Sequence, residues 1–183
     1  MKISRGKALL ILGVVLVLID QIIKFAVKTN MSLGEHFSVI GDWFQILFVE
    51  NKGMAFGMAF GGVVGKFLLS LFRVCLFGAL CVWIHRLNIR KAPTGVLVGL
   101  TLITAGALGN IVDCLFYGLI FDYAPLMFGK VVDMFYFPLI HASDGRVLFF
   151  SPVFNFADSC VTVGAFYLVL FQYKFFASEE KEE

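Results

Sequence analysis

Two aspartates, Asp133 and Asp158, are the groups in this sequence best suited to hydrolysis. Asp158 stands near the start of a long apolar run. Asp133 ends the stretch Gly129-Lys130-Val131-Val132-Asp133, which can dip back toward the same level. Facing carboxylates do not both ionise comfortably, so one pKa rises and the pair holds a single proton. One member then serves as base toward a water while the other, protonated, polarises a carbonyl. That is peptide hydrolysis without a metal or a covalent intermediate. The two acids are 25 positions apart, and spacing alone leaves open whether they meet.

Other chemistries lack parts. Ser159 has no histidine placed as its base, because His36, His85 and His141 are isolated, and a cysteine nucleophile lacks a partner for the same reason. Clustered acids suit a divalent cation, but Lys24 and Arg73 in the same region oppose one, so no metal or other cofactor is expected. A phosphate-cradling glycine loop is missing from the sequence.

These residues must be positioned inside lipid. Hydrophobic residues make up 60% of the 183 and charged residues 15%, with a mean hydropathy of +0.89. Soluble domains are nearer half apolar and a quarter charged. A net charge of +2, with scattered basic residues, argues against nucleic acid. A bilayer-spanning helix takes about 20 mostly apolar residues, and four stretches qualify: 7–28, 66–86, 94–117 and 155–175. The first begins with basic residues but carries Asp20 and Lys24 and no small-residue cleavage pattern, so it reads as a retained helix. The basic turn His85–Lys91 and the N-terminal Lys2, Arg5 and Lys7 place both termini in the cytoplasm.

The resulting fold class is an all-α membrane protein: one domain over 1–183, built as a bundle of four transmembrane helices. Two outer segments join them. Segment 29–65 contains the alternating run Trp43–Val49, which reads as strand and makes a small β-rich cradle. Segment 118–153 is aromatic but broken by Pro125, Pro138 and Pro152. It is too interrupted to span and is expected to lie on the surface as a lid. The four cysteines, 75, 81, 114 and 160, sit in apolar surroundings and read as small hydrophobes.

Charges within a bilayer cost about 2.5–3.5 kcal/mol each on insertion scales, yet this chain keeps several at one depth. Asp20 and Lys24 lie in the outer half of the first span. Arg73 is roughly 10 Å into the second at 1.5 Å per residue. Asn110 and Asp113 close the third, and Asn155 and Asp158 open the fourth. Asp20 and Lys24 share a face at i, i+4, as do Asn110 and Asp113 at i, i+3. Gly106 and Gly109 permit close helix approach. The residues alone allow three readings: charges that merely tie the bundle together, an enzyme, or a proton-coupled transporter with an outer-leaflet carboxylate site. The transporter is disfavoured because no repeat is visible and no acid lies in the inner half.

At these residues the chain resembles the lipoprotein signal peptidase family (signal peptidase II), over nearly its whole length. The resemblance rests on Asp20-Gln21-x-x-Lys24, Asn51-x-Gly53-x-Ala55-Phe56, Gly106-x-x-Gly109-Asn110-x-x-Asp113 with Gly118, Val132-Asp133, and Phe154-Asn155-x-Ala157-Asp158. It implies a bacterial inner-membrane aspartic endopeptidase with Asp133 and Asp158 as catalytic dyad. The implied supporting residues are Asp20, Lys24, Asn51, Gly53, Asn110, Asp113, Asn155 and Ala157. The implied substrates are diacylglyceryl-modified prolipoproteins cut just before the modified cysteine, the implied inhibitor is globomycin, and the expected state is a monomer among membrane lipids. Two departures stand out. Cys114 follows Asp113 where the family usually has arginine, for which Arg73 or Arg146 could compensate. The intervals from Gly118 to Asp133 and from Asp133 to Asn155 are longer than usual, implying an enlarged lid.

Overall fold

A computed structural model of the chain describes residues 3–52, 62–141, 147–149 and 152–179. Among the described residues, three helices are long and apolar enough to cross a membrane. They are Arg5–Asn30, Gly62–Ile89 and Thr94–Ile120. The first, α1 (Arg5–Asn30), starts where the Ser4 side chain accepts from the Lys7 amide, satisfying one of the donors a helix start leaves free. The second is α2 (Gly62–Ile89). The third begins as α3 (Thr94–Val112), passes through a π-helical turn, Asp113–Tyr117, and ends as α4 (Gly118–Ile120). The expected fourth span is a shorter apolar helix, α5 (Phe156–Phe171). It breaks at Gln172 and resumes as α6 (Tyr173–Glu179), so the run read as one helix to 175 is two.

The outside of this bundle is oily. Leu10, Val14, Leu18, Ile22 and Phe25 on α1, Phe67, Leu68 and Phe72 on α2, and Phe166, Val169 and Leu170 on α5 are all exposed. An apolar surface of this extent demands lipid rather than water around it. Burial belongs to α3, which packs on α5, α1 and α2 and holds Val96, Leu97 and Leu100 essentially out of reach of solvent.

Small residues make that central position possible. A side-chain carbon on Gly106 would collide with the Ala157 carbonyl and come within 2.7 Å of Val161 Cγ2; one on Gly109 would come within 2.5 Å of Asp20 Oδ2. Gly106→Ala is therefore expected to push α3 off α5 and lower stability by about 1–3 kcal/mol. Unfolding in detergent would read this, and a variant as stable as the parent would contradict the close approach.

A four-stranded antiparallel sheet caps one end of the helices in the order β1-β2-β3-β6. Its strands are β1 (His36–Ile40), β2 (Phe44–Asn51), β3 (Val131–Tyr136) and β6 (Val153–Phe154). A separate pair joins β4 (Ile140–His141) to β5 (Val147–Phe149). The strand expected at Trp43–Val49 is present as β2, paired with β1 in a hairpin. The second outer segment departs from its expected surface position, because β3 is an inner strand bonded to β2 and β6. Alternating Val132 and Met134 explain why: both are fully buried in a cluster with Val27, Phe48 and Tyr117, and a strand with apolar side chains on that face buries them against the helix ends. Residues 142–146, 150 and 151 of the expected lid lie outside the described residues, as do Gly53, Ala55 and Phe56 of the second motif.

Candidate active site

The π-helical turn at the end of α3 and strand β3 bring the polar groups together. Gly129 donates its amide to the Cys114 carbonyl at 2.9 Å. Any side chain at 129 would overlap the Asp113 carbonyl. The chain thus reaches β3 directly over Asp113, whose Oδ2 accepts from the Val132 amide at 3.2 Å. On the other edge of β3, Ile46 faces Phe135 and Val49 faces Asp133, so β2 carries one extra residue in between. Bulges of this kind turn side chains toward a site, and this one is next to Asp133. Glu50, joined to Lys28 of α1 and to Lys130, ties the sheet to the helices. Lys28 also lies over the rings of Tyr123, Phe121 and Phe48.

Asp158 is placed by a helix start. Asn155 caps α5 by accepting from the Asp158 amide at 2.9 Å, and the Asp158 carboxylate accepts in return from the Asn155 amide at 3.2 Å. This reciprocal capping box satisfies two helix-start donors and on its own would justify both residues structurally. The Asn155 side chain does more, however. Its Nδ2 donates to Asp133 Oδ1 at 2.6 Å and lies 3.0 Å from Asn110 Oδ1. Asn110 Nδ2 in turn donates to Asp158 Oδ1 at 2.8 Å. Asn155 therefore sits between the two aspartates, hydrogen-bonded to both.

Below them lies a second, fully buried layer. Lys24 Nζ is 2.9 Å from Asp20, 2.8 Å from Asp113 and 2.8 Å from Asn110 Oδ1. Three partners use all three ammonium donors. Asp20 accepts from the Ala157 amide at 2.9 Å, which explains why residue 157 belongs to the group through its backbone. Gln21 bonds Asp20, Asp113 and the Gly109 carbonyl, at 3.1, 3.0 and 3.0 Å. Sequence reasoning used Gln21 only as part of a motif. Its i, i−1 position beside Asp20 gave no hint that it would clasp two carboxylates.

Asp133 is 3% exposed. Burial raises its pKa, the charge of Asp158 adds to the rise, and hydrogen bonds from Asn155 and Asn51 act against it. The result is a carboxyl raised to about 7. Such an acid is about half protonated at neutral pH, and its protonated form can donate a hydrogen bond. Asp133, Asn51, Glu50 and Lys52 line a cavity of about 440 Å³ that also touches Val49 and Val153, so the carboxyl has open space in front of it. Of the expected site residues, Asp20, Lys24, Asn51, Asn110, Asp113, Asp133, Asn155, Ala157 and Asp158 converge here. Gly53 lies outside the described residues.

A model described as signal peptidase (SPase) II matches residues 12–174. The chain belongs to the signal peptidase II family. A protein of Porphyromonas gingivalis named lipoprotein signal peptidase is 41% identical over 92% of this chain and 84% of its own length. A second of that name, from Chlorobaculum parvum, is 32% identical over 91% and 95%. Two solved bacterial membrane enzymes superpose with TM-scores of 0.65 and 0.64 at 26% and 27% identity, over 91% and 89% of this chain and 88% and 90% of theirs.

In this signal peptidase II family member, the residue after Asp113 is Cys114. Of the two arginines named above, Arg73 reaches it: Nη1 lies 3.1 Å from Cys114 Sγ. Arg146 lies outside the described residues.

Proposed function

We propose that the chain is a single-domain intramembrane aspartic endopeptidase that removes signal peptides from diacylglyceryl-modified prolipoproteins, cutting before the modified cysteine. Family membership supports signal-peptide cleavage of lipoproteins, and the apolar helices suit a bacterial inner-membrane enzyme. The observation that carries the mechanism is Asn155 held between Asp133 and Asp158 at the sheet end of the helices.

In this reading Asp158, held by Asn110 and the α5 start, takes a proton from the attacking water. Asp133, retaining its proton, donates to the scissile carbonyl and stabilises the charge that develops there. Asp20, Lys24, Asn51, Asn110, Asp113, Asn155 and Ala157 hold the pair in register. Helix α5, extended by the residues around it, serves as the fourth span. Both termini then face the cytoplasm, the sheet lies on the outer surface, and the segment after Gly118 covers the site. The substrate is an extended chain leaving a membrane helix, so its scissile bond naturally falls at this level. The enzyme is taken to act as a monomer.

The test is cleavage of a diacylglyceryl-modified prolipoprotein by the purified protein in detergent, read by gel shift. Loss of the signal peptide is the expected result. If nothing is cut while the protein is folded, the peptidase reading fails and the transporter regains weight.

A pH profile sharpens it. Above about 7 Asp133 loses its proton, and kcat/KM should fall toward tenfold per pH unit. The contribution of Asp133 to stability follows the same sign: the native state binds the extra proton, so this contribution is highest at low pH and declines as pH rises from the ordinary carboxylate range through about 7. Activity that climbs steadily from pH 7 to 9 would contradict the assignment of the proton to Asp133.

A further inference from the structure

Basic side chains gather on one face of α2 at its sheet end. Lys66, Ser70 and Arg73 are spaced i, i+4, i+7 and so share that face. It meets the turn leading from the π-helical segment into β3. Lys66 Nζ donates to the Phe128 carbonyl at 2.7 Å and Ser70 Oγ to the Met127 carbonyl at 2.9 Å, while Arg73 Nη1 rests on Cys114 Sγ. Lys52 and Lys130 place further positive charge near Lys66. Glu50 lies among these cations but is already shared by Lys28 and Lys130, and Lys52 lines the cavity in front of Asp133.

Among the described residues, Lys52, Lys66 and Arg73 form no ion pair. A thiol is a weak acceptor, and it engages one of the five N–H groups that a guanidinium carries. A cation within a membrane-spanning helix normally finds an anionic partner. Lys66 and Arg73 are half-buried, so they remain reachable from lipid, and Phe67 and Leu71 on the adjoining flank of the helix are exposed and apolar. The arrangement is a pair of hydrogen-bonding cations above an oily flank.

We propose that Lys66 and Arg73 bind an oxyanion headgroup, the phosphate of a phospholipid in the leaflet on the sheet side, with its acyl chains against Phe67 and Leu71. The planar guanidinium fork suits two phosphate oxygens at once, and the Lys66 ammonium has donors left beyond Phe128. Lys52 and Lys130 raise the local potential that draws the anion in. The site is separate from the Asp133–Asp158 pair, and the inference stands whether or not the peptidase reading does.

The test is native mass spectrometry of the delipidated full-length protein, titrated with phosphatidylglycerol, with diacylglycerol of the same chains, and with inorganic phosphate. One phosphatidylglycerol should bind to the wild type. The double variant Lys66→Gln/Arg73→Gln should bind it about tenfold more weakly or worse. Diacylglycerol should bind weakly and equally to both proteins. Arg73→Lys, which keeps the charge but loses the guanidinium fork and is the gentler change to the fold, should bind more weakly than the wild type and more tightly than the double variant. Unchanged phosphatidylglycerol binding in the double variant would overturn the proposal, as would diacylglycerol binding as tightly as phosphatidylglycerol. Inorganic phosphate binding as tightly as the lipid would reassign the site to a free anion and overturn the lipid.

Discussion

Asp133→Asn and Asp158→Asn are each expected to reduce cleavage of a diacylglyceryl-modified prolipoprotein by on the order of 10³-fold or more, since each removes a proton-transfer group from the reacting centre. The two should differ in stability. At 158 the carboxylate accepts from both the Asn155 amide and Asn110 Nδ2. An amide has one accepting oxygen, so one of those donors must face an NH2 group. A cost of about 0.5–2 kcal/mol is expected, the usual range for a damaged cap. At 133 the native acid is raised to about 7, and an amide closely mimics a protonated carboxyl. Asp133→Asn should therefore fold as well as the parent, and above neutral pH it should be the more stable of the two, because no buried acid remains to ionise. Inactivity without instability is what separates a catalytic role from a tie within the bundle. Mature lipoprotein produced by either variant would end the dyad assignment.

Lys24→Met should be the most damaging single change away from the dyad. The ammonium is fully buried and touches Asp20, Asp113 and Asn110. Removing it strands two carboxylates in the bundle, and breaking a buried pair in this way costs about 3–5 kcal/mol. For a chain of this size that corresponds to a drop on the order of 10 °C in melting temperature. The logic can be checked by compensation: Asp20→Asn and Asp113→Asn added to Lys24→Met should restore much of the loss, since the uncompensated charge is then gone. Activity should remain below the parent's in the restored protein, because Asn110 has lost one of the two donors, Lys24 and Asn155, that fix its oxygen and so orient its NH2 toward Asp158. A Lys24→Met protein as stable as the parent would show that the charges of this layer are not coupled.

Much of this was legible in the residues themselves. Hydropathy alone identifies the three long spans, because lipid imposes one simple demand, about 20 apolar residues in a row. Short spacings within one helix, Asp20 with Lys24 and Asn110 with Asp113, reveal shared faces because helical geometry is local. What the sequence left open concerned groups far apart in the chain. That Asp133 lies on an inner strand, held between β2 and β6, depends on where Val132 and Met134 find a surface to cover, and no local pattern states it. That Asn155 reaches Asp133 across 22 positions, and that Arg73 reaches Cys114, depends on how closely α3 can approach its neighbours. The glycines at 106, 109 and 129 set those distances, and their effect exists only once the helices are packed. The sequence by itself determined the solvent, the spans and the inventory of acids and bases. The tertiary structure decided which of them meet, because meeting depends on packing between distant segments rather than on the period of any one of them.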